Sequence, residues 1–281
     1  MSILEITGVS YTLSRTLLDG IELTFRPGEL AAISGPSGSG KTTLLSIAGG
    51  LLAPSTGTAS YDGRPMWQGT GDPRPEVAFV LQVYGLIPIL SARENVSVAL
   101  RARGVAPAEA DERAEAALAR FHIADLGDRQ VEELSGGQMQ RVACARGLVV
   151  GARILLADEP TSELDEVNRG LVLGELRQEA VRGSIVVVAT HDPAVVDACD
   201  QHYVLDDGRL TDHVAQVDLS AWGRTQPAQG PDELPPPVIP VGASRPTPVD
   251  LVDSDAPDRR GPAEGEREDD SVFRRPRRER E

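Results

Sequence analysis

Apolar and polar positions along the chain fall into two regimes. Early on the apolar runs are short (ILEITGVSYTL, GIELTFRPG, ELAAIS, TASYDG), and Gly, Pro and Asp separate them. That punctuation predicts short strands joined by turns, an antiparallel pattern. Further on, VAFVLQ, ILLAD and SIVVVAT are rich in Val, Ile and Leu and do not alternate with polar residues. Strands of that kind are covered on both faces, as in a parallel sheet. QHYVLDDG supplies one more strand candidate. Between these runs, helical periodicity predicts helices over 41–49, 107–120, 136–149, 167–180 and 193–199. In the second of them Pro107 opens a run of Ala, Glu and Arg, with Leu118 and Phe121 on one side. The sum is an α/β chain.

The pattern stops near residue 215. Segment 215–281 holds 11 of the 21 prolines, and its 14 acidic and 10 basic residues give it a net charge of −4. Its apolar content is too low to offset the cost of ordering it. The sequence therefore predicts a folded domain over 1–214 and a disordered, Pro-rich, charged tail over 215–281, with LPPPVIP suited to a polyproline II conformation. The whole chain carries −15, which speaks against general nucleic-acid binding, since that needs a basic surface. Cys144 and Cys199 have neither CxxC spacing nor a His cluster nearby, so a zinc site or disulfide scaffold is not expected, and a reducing compartment fits. The segment MSILEITGVSYTL has no basic n-region and no long apolar core. No apolar run approaches the roughly 20 residues that cross a bilayer. Any membrane role is expected to use the spans of another chain.

Candidate chemistry begins at GPSGSGKTT, residues 35–43. The 28 basic residues comprise 27 arginines and one lysine, and that lysine is Lys41. The strand ELAAIS precedes the loop and the helical LLSIAGG follows it, the context that a G-x-x-x-x-G-K-[ST] phosphate loop requires. Gly35 and Gly40 are the motif's glycines, with Pro36, Ser37, Gly38 and Ser39 between them. The glycines let backbone N–H groups converge, and the helix start adds partial positive charge. Lys41 reaches terminal phosphates as a compact point charge, where arginine's planar fork would not pack in the same way. Thr42 offers a hydroxyl to Mg²⁺.

ILLADEP, residues 154–160, ends a strand on Asp158 and Glu159. Phosphoryl transfer to water needs a metal carboxylate and a group that positions the water. Asp158 is expected to hold Mg²⁺ and Glu159 to act as general base. Lys41 and Asp158 lie 117 positions apart, so a segment is inserted between them. That segment contains LSGGQMQR, in which Ser135, Gly136 and Gly137 open another helix. One nucleotide does not obviously need two anion-binding helix starts. A symmetric dimer accounts for both if the second start closes on the partner's nucleotide.

A phosphate loop followed by LSGGQ and then ADEP resembles the ATP-binding cassette (ABC) ATPases, over about residues 2–213. The resemblance implies a P-loop core, an N-terminal antiparallel β subdomain and an inserted α-helical subdomain at about 83–150. It implies ATP and Mg²⁺ as ligands, with Tyr11 stacking on adenine and Thr43 beside the α-phosphate. Gln82 is then the residue that senses the γ-phosphate, joins the metal shell and couples to a membrane partner. Leu134 to Gln138 match the family's signature motif, with Ser135 and Gly137 contacting the γ-phosphate across a dimer and Gly136 and Gln138 beside them in the nucleotide site. Ser162, Glu163, Leu164 and Asp165 form the loop connecting the two sites, and His191 is the switch residue at the γ-phosphate. Asp192 is placed to cap the helix that begins at Pro193. Two positions depart from the usual text. Glu163 stands where a small or amide residue is usual, and Gly147 replaces a frequent Ala at a cost of about 1 kcal/mol in a helix interior.

The stretches GPSGSGKTTLLSIAGGLLAPSTGTASYDG and LLADEPTSELD are most similar to the lipoprotein-release and macrolide-export branch. This implies an ATP-hydrolysing subunit of a heteromeric transporter, at the cytoplasmic face of the membrane. Its partners are then a second ATPase subunit, with a homodimer expected, and a separate transmembrane permease. VYGLIPILSARENV, after Gln82, corresponds to the permease contact. The alternative is a regulatory ATPase with no transported substrate, driving a cell-envelope partner. The two readings share every catalytic residue.

Overall fold

The computed structural model describes residues 2–211, and the tail expected over 215–281 lies outside them. The first strands are β1 (Leu4–Thr12) and β2 (Thr16–Phe25), with β4 (Thr56–Tyr61) and β5 (Arg64–Pro65) later in the chain. They form an antiparallel sheet in the order β2-β1-β4-β5. The second sheet contains β3 (Leu30–Ser34), β6 (Val77–Val80), β7 (Ile154–Asp158), β8 (Ile185–Thr190), β9 (Gln201–Asp206) and β10 (Arg209–Thr211). Its order is β10-β9-β3-β8-β7-β6, parallel throughout except for the edge strand β10. The antiparallel and parallel regions appear where the apolar patterning placed them with one correction: ELAAIS, grouped with the antiparallel runs, forms β3 inside the parallel sheet, where all five of its residues are buried between β8 and β9.

The unbroken apolar runs of β7 and β8 are covered on both faces. Leu155, Ala157, Val186 and Val188 join a core with the helices, while Ile154, Leu156, Val187 and Ala189 face a second core shared with the antiparallel sheet. Each fully buried Val or Leu of this kind contributes about 1.5–3 kcal/mol of transfer free energy. The helices are α1 (Lys41–Ala48), α2 (Ala92–Arg101), α3 (Pro107–Arg120), α4 (Gly136–Val149), α5 (Glu166–Val181) and α6 (Pro193–Asp197). In α3, Pro107 occupies the first turn, and Ala110, Ala114, Ala117 and Leu118 form the buried stripe. Segment 83–150 holds α2, α3 and α4, which contact one another.

Helix α2 is absent from the sequence expectation. Its signals are present: Ser91 and Glu94 make a reciprocal capping box, and Ala92, Val96 and Leu100 are buried at four-residue spacing. The apolar run just before it, IPIL, obscured them.

Gly147 lies in α4 where that helix crosses β6. A Cβ at this position would stand 2.8 Å from Val80 Cγ2 and 3.2 Å from the Phe79 carbonyl oxygen. The close approach of helix to strand explains the glycine, since an added methyl would force one of them to shift.

Pairing is in register at the C-terminal ends of the central strands. Ser34 lies beside Thr190, and Asp158 beside Ala189. The segments that follow β3, β6, β7 and β8 therefore emerge at one edge of the sheet, where open α/β sheets place their ligand chemistry.

Candidate functional site

The loop from Gly35 to Gly40 runs from β3 into α1. Three backbone segments meet around it. A Cβ on Gly35 would fall 2.1 Å from the Leu205 carbonyl oxygen, and one on Gly40 would fall 2.8 Å from that of Leu17. Gly208, in the β9–β10 turn, also approaches Leu17, donates its N–H to Ser39 O at 3.1 Å and accepts from Asp19 N at 2.9 Å. Gly38 and Gly40 have φ of 79° and 106°, a region that suits glycine. A side chain at Gly35 or Gly40 would collide with these backbones, so the path of the loop requires glycine at both positions. Helix α1 begins on Gly40 with no side-chain cap, whereas α2, α4 and α5 are capped by Ser91, Ser135 and Asp165. An uncapped helix start in a glycine cradle suits a phosphate group.

Lys41 is buried, and its Nζ donates to Gly35 O at 2.7 Å and Pro36 O at 3.1 Å. Burial lowers the pKa of its ammonium, and the carboxylates of Glu159 and Asp158 oppose that shift. Thr42 Oγ1 donates to Asp158 Oδ2 at 2.6 Å. Thr43 follows within α1, half-buried, while Pro36, Ser37 and Ser39 complete the loop with Ser39 buried. Next to Asp158, Glu159 is buried and carries a left-handed φ of 47°. Its Oε1 lies 2.7 Å from His191 Nδ1, and its Oε2 accepts from Thr190 Oγ1 at 3.3 Å. The backbone is held as well: Glu159 N donates to Ala189 O at 2.9 Å, and its carbonyl accepts from Gln140 Nε2 at 3.4 Å and Ser162 Oγ at 3.3 Å. Thr190 and Gln140 are the members of this network that the motifs alone do not single out.

Burial raises the pKa of Asp158, with Glu159 adding to the rise and the Thr42 hydrogen bond and Lys41 opposing it. For a carboxyl so raised, the folded state holds its proton more firmly than the unfolded state does. Its ionisation therefore costs stability once pH exceeds the folded pKa, and that cost disappears as pH falls below the ordinary Asp value of about 3.9. Asp158→Asn should raise the melting temperature of the ligand-free protein at pH 8, and the gain should shrink toward pH 4.5. A scan of melting temperature against pH for both proteins checks this.

Gln82 follows β6, whose Val80 pairs with Ala157 of β7, so Gln82 reaches the same sheet edge as Asp158 with its side chain exposed. Tyr11 pairs with Leu18, the neighbour of Gly40, and is half-buried against the second core. Asp192 N-caps α6 through Ala194 N at 2.9 Å, as expected.

The signature residues form a separate group. Ser135 caps α4, accepting from Gln138 N at 3.4 Å while Gln138 Oε1 accepts from Ser135 N at 2.9 Å. Among the described residues no hydrogen bond links 135–138 to 35–43. The group packs instead against the loop after Glu159: a Cβ on Gly137 would stand 2.9 Å from Glu163 O, and one on Gly136 would stand 3.3 Å from Glu163 Oε2. Asp165 accepts from Asn168 N at 2.8 Å and starts α5. The structure brings Lys41, Thr42, Asp158, Glu159 and His191 together, and holds Ser135 to Gln138 apart.

The fold and these motifs have counterparts. The model of the ABC transporter family matches residues 18–162. An uncharacterised ABC transporter ATP-binding protein of Mycobacterium tuberculosis is 41% identical over 189 residues, covering 66% of this chain and 57% of that protein. The macrolide export ATP-binding/permease protein MacB of Marinobacter nauticus is 39% identical over 201 residues, covering 70% of this chain and 31% of that protein. The pyoverdine export ATP-binding/permease protein PvdT of Pseudomonas entomophila is 39% identical over 223 residues, with shares of 78% and 33%. In each case the match spans less than two thirds of the relative's length. Among solved structures, the cassette MJ0796 in a dimeric post-hydrolysis state bound to ADP and Pi superposes with a TM-score of 0.68 at 31% identity, covering 74% of this chain and 96% of that one.

Proposed function

The chain belongs to the ABC transporter family, and on that premise we propose that it is the ATP-binding and hydrolysing subunit of a heteromeric transporter, working as a dimer on a permease supplied by another chain. The observation that carries this reading is the division of the site. The cradle, Lys41, the Thr42–Asp158 pair and the Glu159–His191 pair form one half, and the signature start at Ser135 forms another with no bond to it. Two copies placed head to tail would complete two sites.

In that assembly the triphosphate lies against residues 35–43, with Lys41 turned from its two carbonyls toward the terminal phosphates. The residues fit a magnesium ion, since Thr42 and Asp158 are already paired and Gln82 emerges at the same edge. When bound, that ion neutralises phosphate charge. Glu159 accepts a proton from the attacking water, and His191 keeps its carboxylate aimed. Tyr11 supports the base, and Ser135, Gly136, Gly137 and Gln138 of the other copy close over the γ-phosphate. Residues 1–214 form the catalytic unit in this reading, with 215–281 as an appended tail.

Among the described residues no helix is long and apolar enough to cross a membrane. Val83 and Ile89 are 80% exposed in the loop after Gln82, and Leu81 and Ile87 are partly exposed beside them. Asn95 ties this loop to α2 through Ile87 N at 2.7 Å and Ser91 O at 3.0 Å, and Arg146 ties it to α4 through Tyr84 O. An apolar surface on a tethered loop suits a permease contact at the cytoplasmic face. The test is co-purification from native membranes, with Glu159→Gln protein and Mg·ATP as bait. A membrane permease should be recovered. Recovery of soluble proteins alone would remove the transporter reading.

A further inference from the structure

Two buried polar side chains of α4 lie under the turn that carries Glu159. Gln140 is fully buried, and its Nε2 donates to Glu159 O at 3.4 Å. One turn later Cys144, also fully buried, donates its thiol to Pro160 O at 3.7 Å. Burial pushes that thiol up to about 12, so it remains protonated and able to donate. The other end of the Gln140 amide is not provided for. Its Oε1 is buried and has no hydrogen-bond partner among the described residues. An orphaned buried acceptor is unfavourable, and an apolar side chain of similar size would avoid it. Apart from a contact with the Cys144 thiol one turn on, core packing gives no reason for an amide here, whereas the bond to Glu159 O does.

That bond has something to hold. Glu159 has a φ of 47°, a left-handed conformation that non-glycine residues adopt only when their surroundings enforce it. The conformation turns the carboxylate toward His191 and Thr190. Ser162 also donates to the Glu159 carbonyl, but from within the same turn, three residues on. Gln140 is the donor that reaches it from a different element, the helix that begins at the signature Ser135.

We infer that Gln140 is a positioning residue for the hydrolytic reaction: by fixing the Glu159 carbonyl it sets the direction of the Glu159 carboxylate and joins that direction to the placement of the signature helix. This rests on the reading of Glu159 as general base. Cys144 supports the same turn at Pro160. Gln140 is fully buried beneath the Glu159 turn, so its loss acts on turnover and leaves nucleotide affinity alone.

The experiment compares full-length wild type, Gln140→Met, Glu159→Gln and the double variant by steady-state phosphate release and ATP binding. Methionine keeps the volume and removes the donor. Gln140→Met is expected to lower kcat about 10- to 100-fold, the scale of an ångström-sized misplacement, with KM for ATP and melting temperature near wild type. In the Glu159→Gln background the same substitution is expected to change the residual rate by less than about twofold, since its effect passes through the missing carboxylate. Wild-type kcat in Gln140→Met, with Glu159→Gln inactive, overturns the positioning role and leaves the base assignment standing. Wild-type hydrolysis in Glu159→Gln overturns the base assignment itself. Equal losses in both backgrounds, or a variant of Gln140 (Met or Leu) that does not fold, assign Gln140 to stability instead and overturn the inference.

Discussion

Glu159→Gln should bind ATP with affinity within about threefold of wild type and hydrolyse it about 10²- to 10⁴-fold more slowly, the range a positioned general base supplies. The amide can still face His191 and Thr190, which lie 2.7 and 3.3 Å from the two carboxylate oxygens. It cannot accept the water's proton. With binding intact and turnover stopped, the variant should accumulate as an ATP-bound dimer. Phosphate release, nucleotide titration and size analysis with and without Mg·ATP read the three parts of this expectation. Hydrolysis at the wild-type rate would dismiss Glu159 as the base, whatever happens to the dimer.

Lys41→Arg is expected to lower ATP affinity by at least about 30-fold, equivalent to about 2 kcal/mol and within the range of a lost hydrogen bond to a charged group. The charge survives the substitution, so the loss would come from shape. Lys41 is 8% exposed, and its ammonium reaches two carbonyls of the loop at 2.7 and 3.1 Å. A rigid guanidinium fork does not match this pair of loop carbonyls as a compact ammonium on a flexible stem does. Titration with a non-hydrolysed ATP analogue measures it. Unchanged affinity would show that the site requires charge and not compactness, and that the sole lysine of the chain is incidental.

Most strands and five of the six helices were legible because local pattern and burial agree there. The unalternated VVVA of β8 could lie only in a sheet covered on both faces, and Pro107 marks the start of α3. Helix α2 was not legible, although its capping box was in plain view, because the apolar IPIL just before it drew the stretch toward a surface reading. The site divides the same way. Lys41, Thr42, Asp158 and His191 sit in motifs whose spacing carries their chemistry. Gln140 and Cys144 contact Glu159 and Pro160 across 19 and 16 positions through helix-on-loop packing, which no local pattern encodes. Gly147 reads as a weak helix residue until β6 is placed against it. Glu163 reads as an anomaly, and its carboxyl proves to lie beside Gly136 and Tyr84.

The junction of Gly35, Gly40 and Gly208 with the backbones at Leu17, Asp19 and Leu205 ties together the two sheets, which share no strand pairing. These close backbone approaches add to the side-chain core that the two sheets already share. The junction therefore favours loss of both sheets in one cooperative step over local opening of either. An anion seated in the cradle presses on this same knot, so a nucleotide that binds only the native chain raises the free energy of that global step and protects strands far from any phosphate.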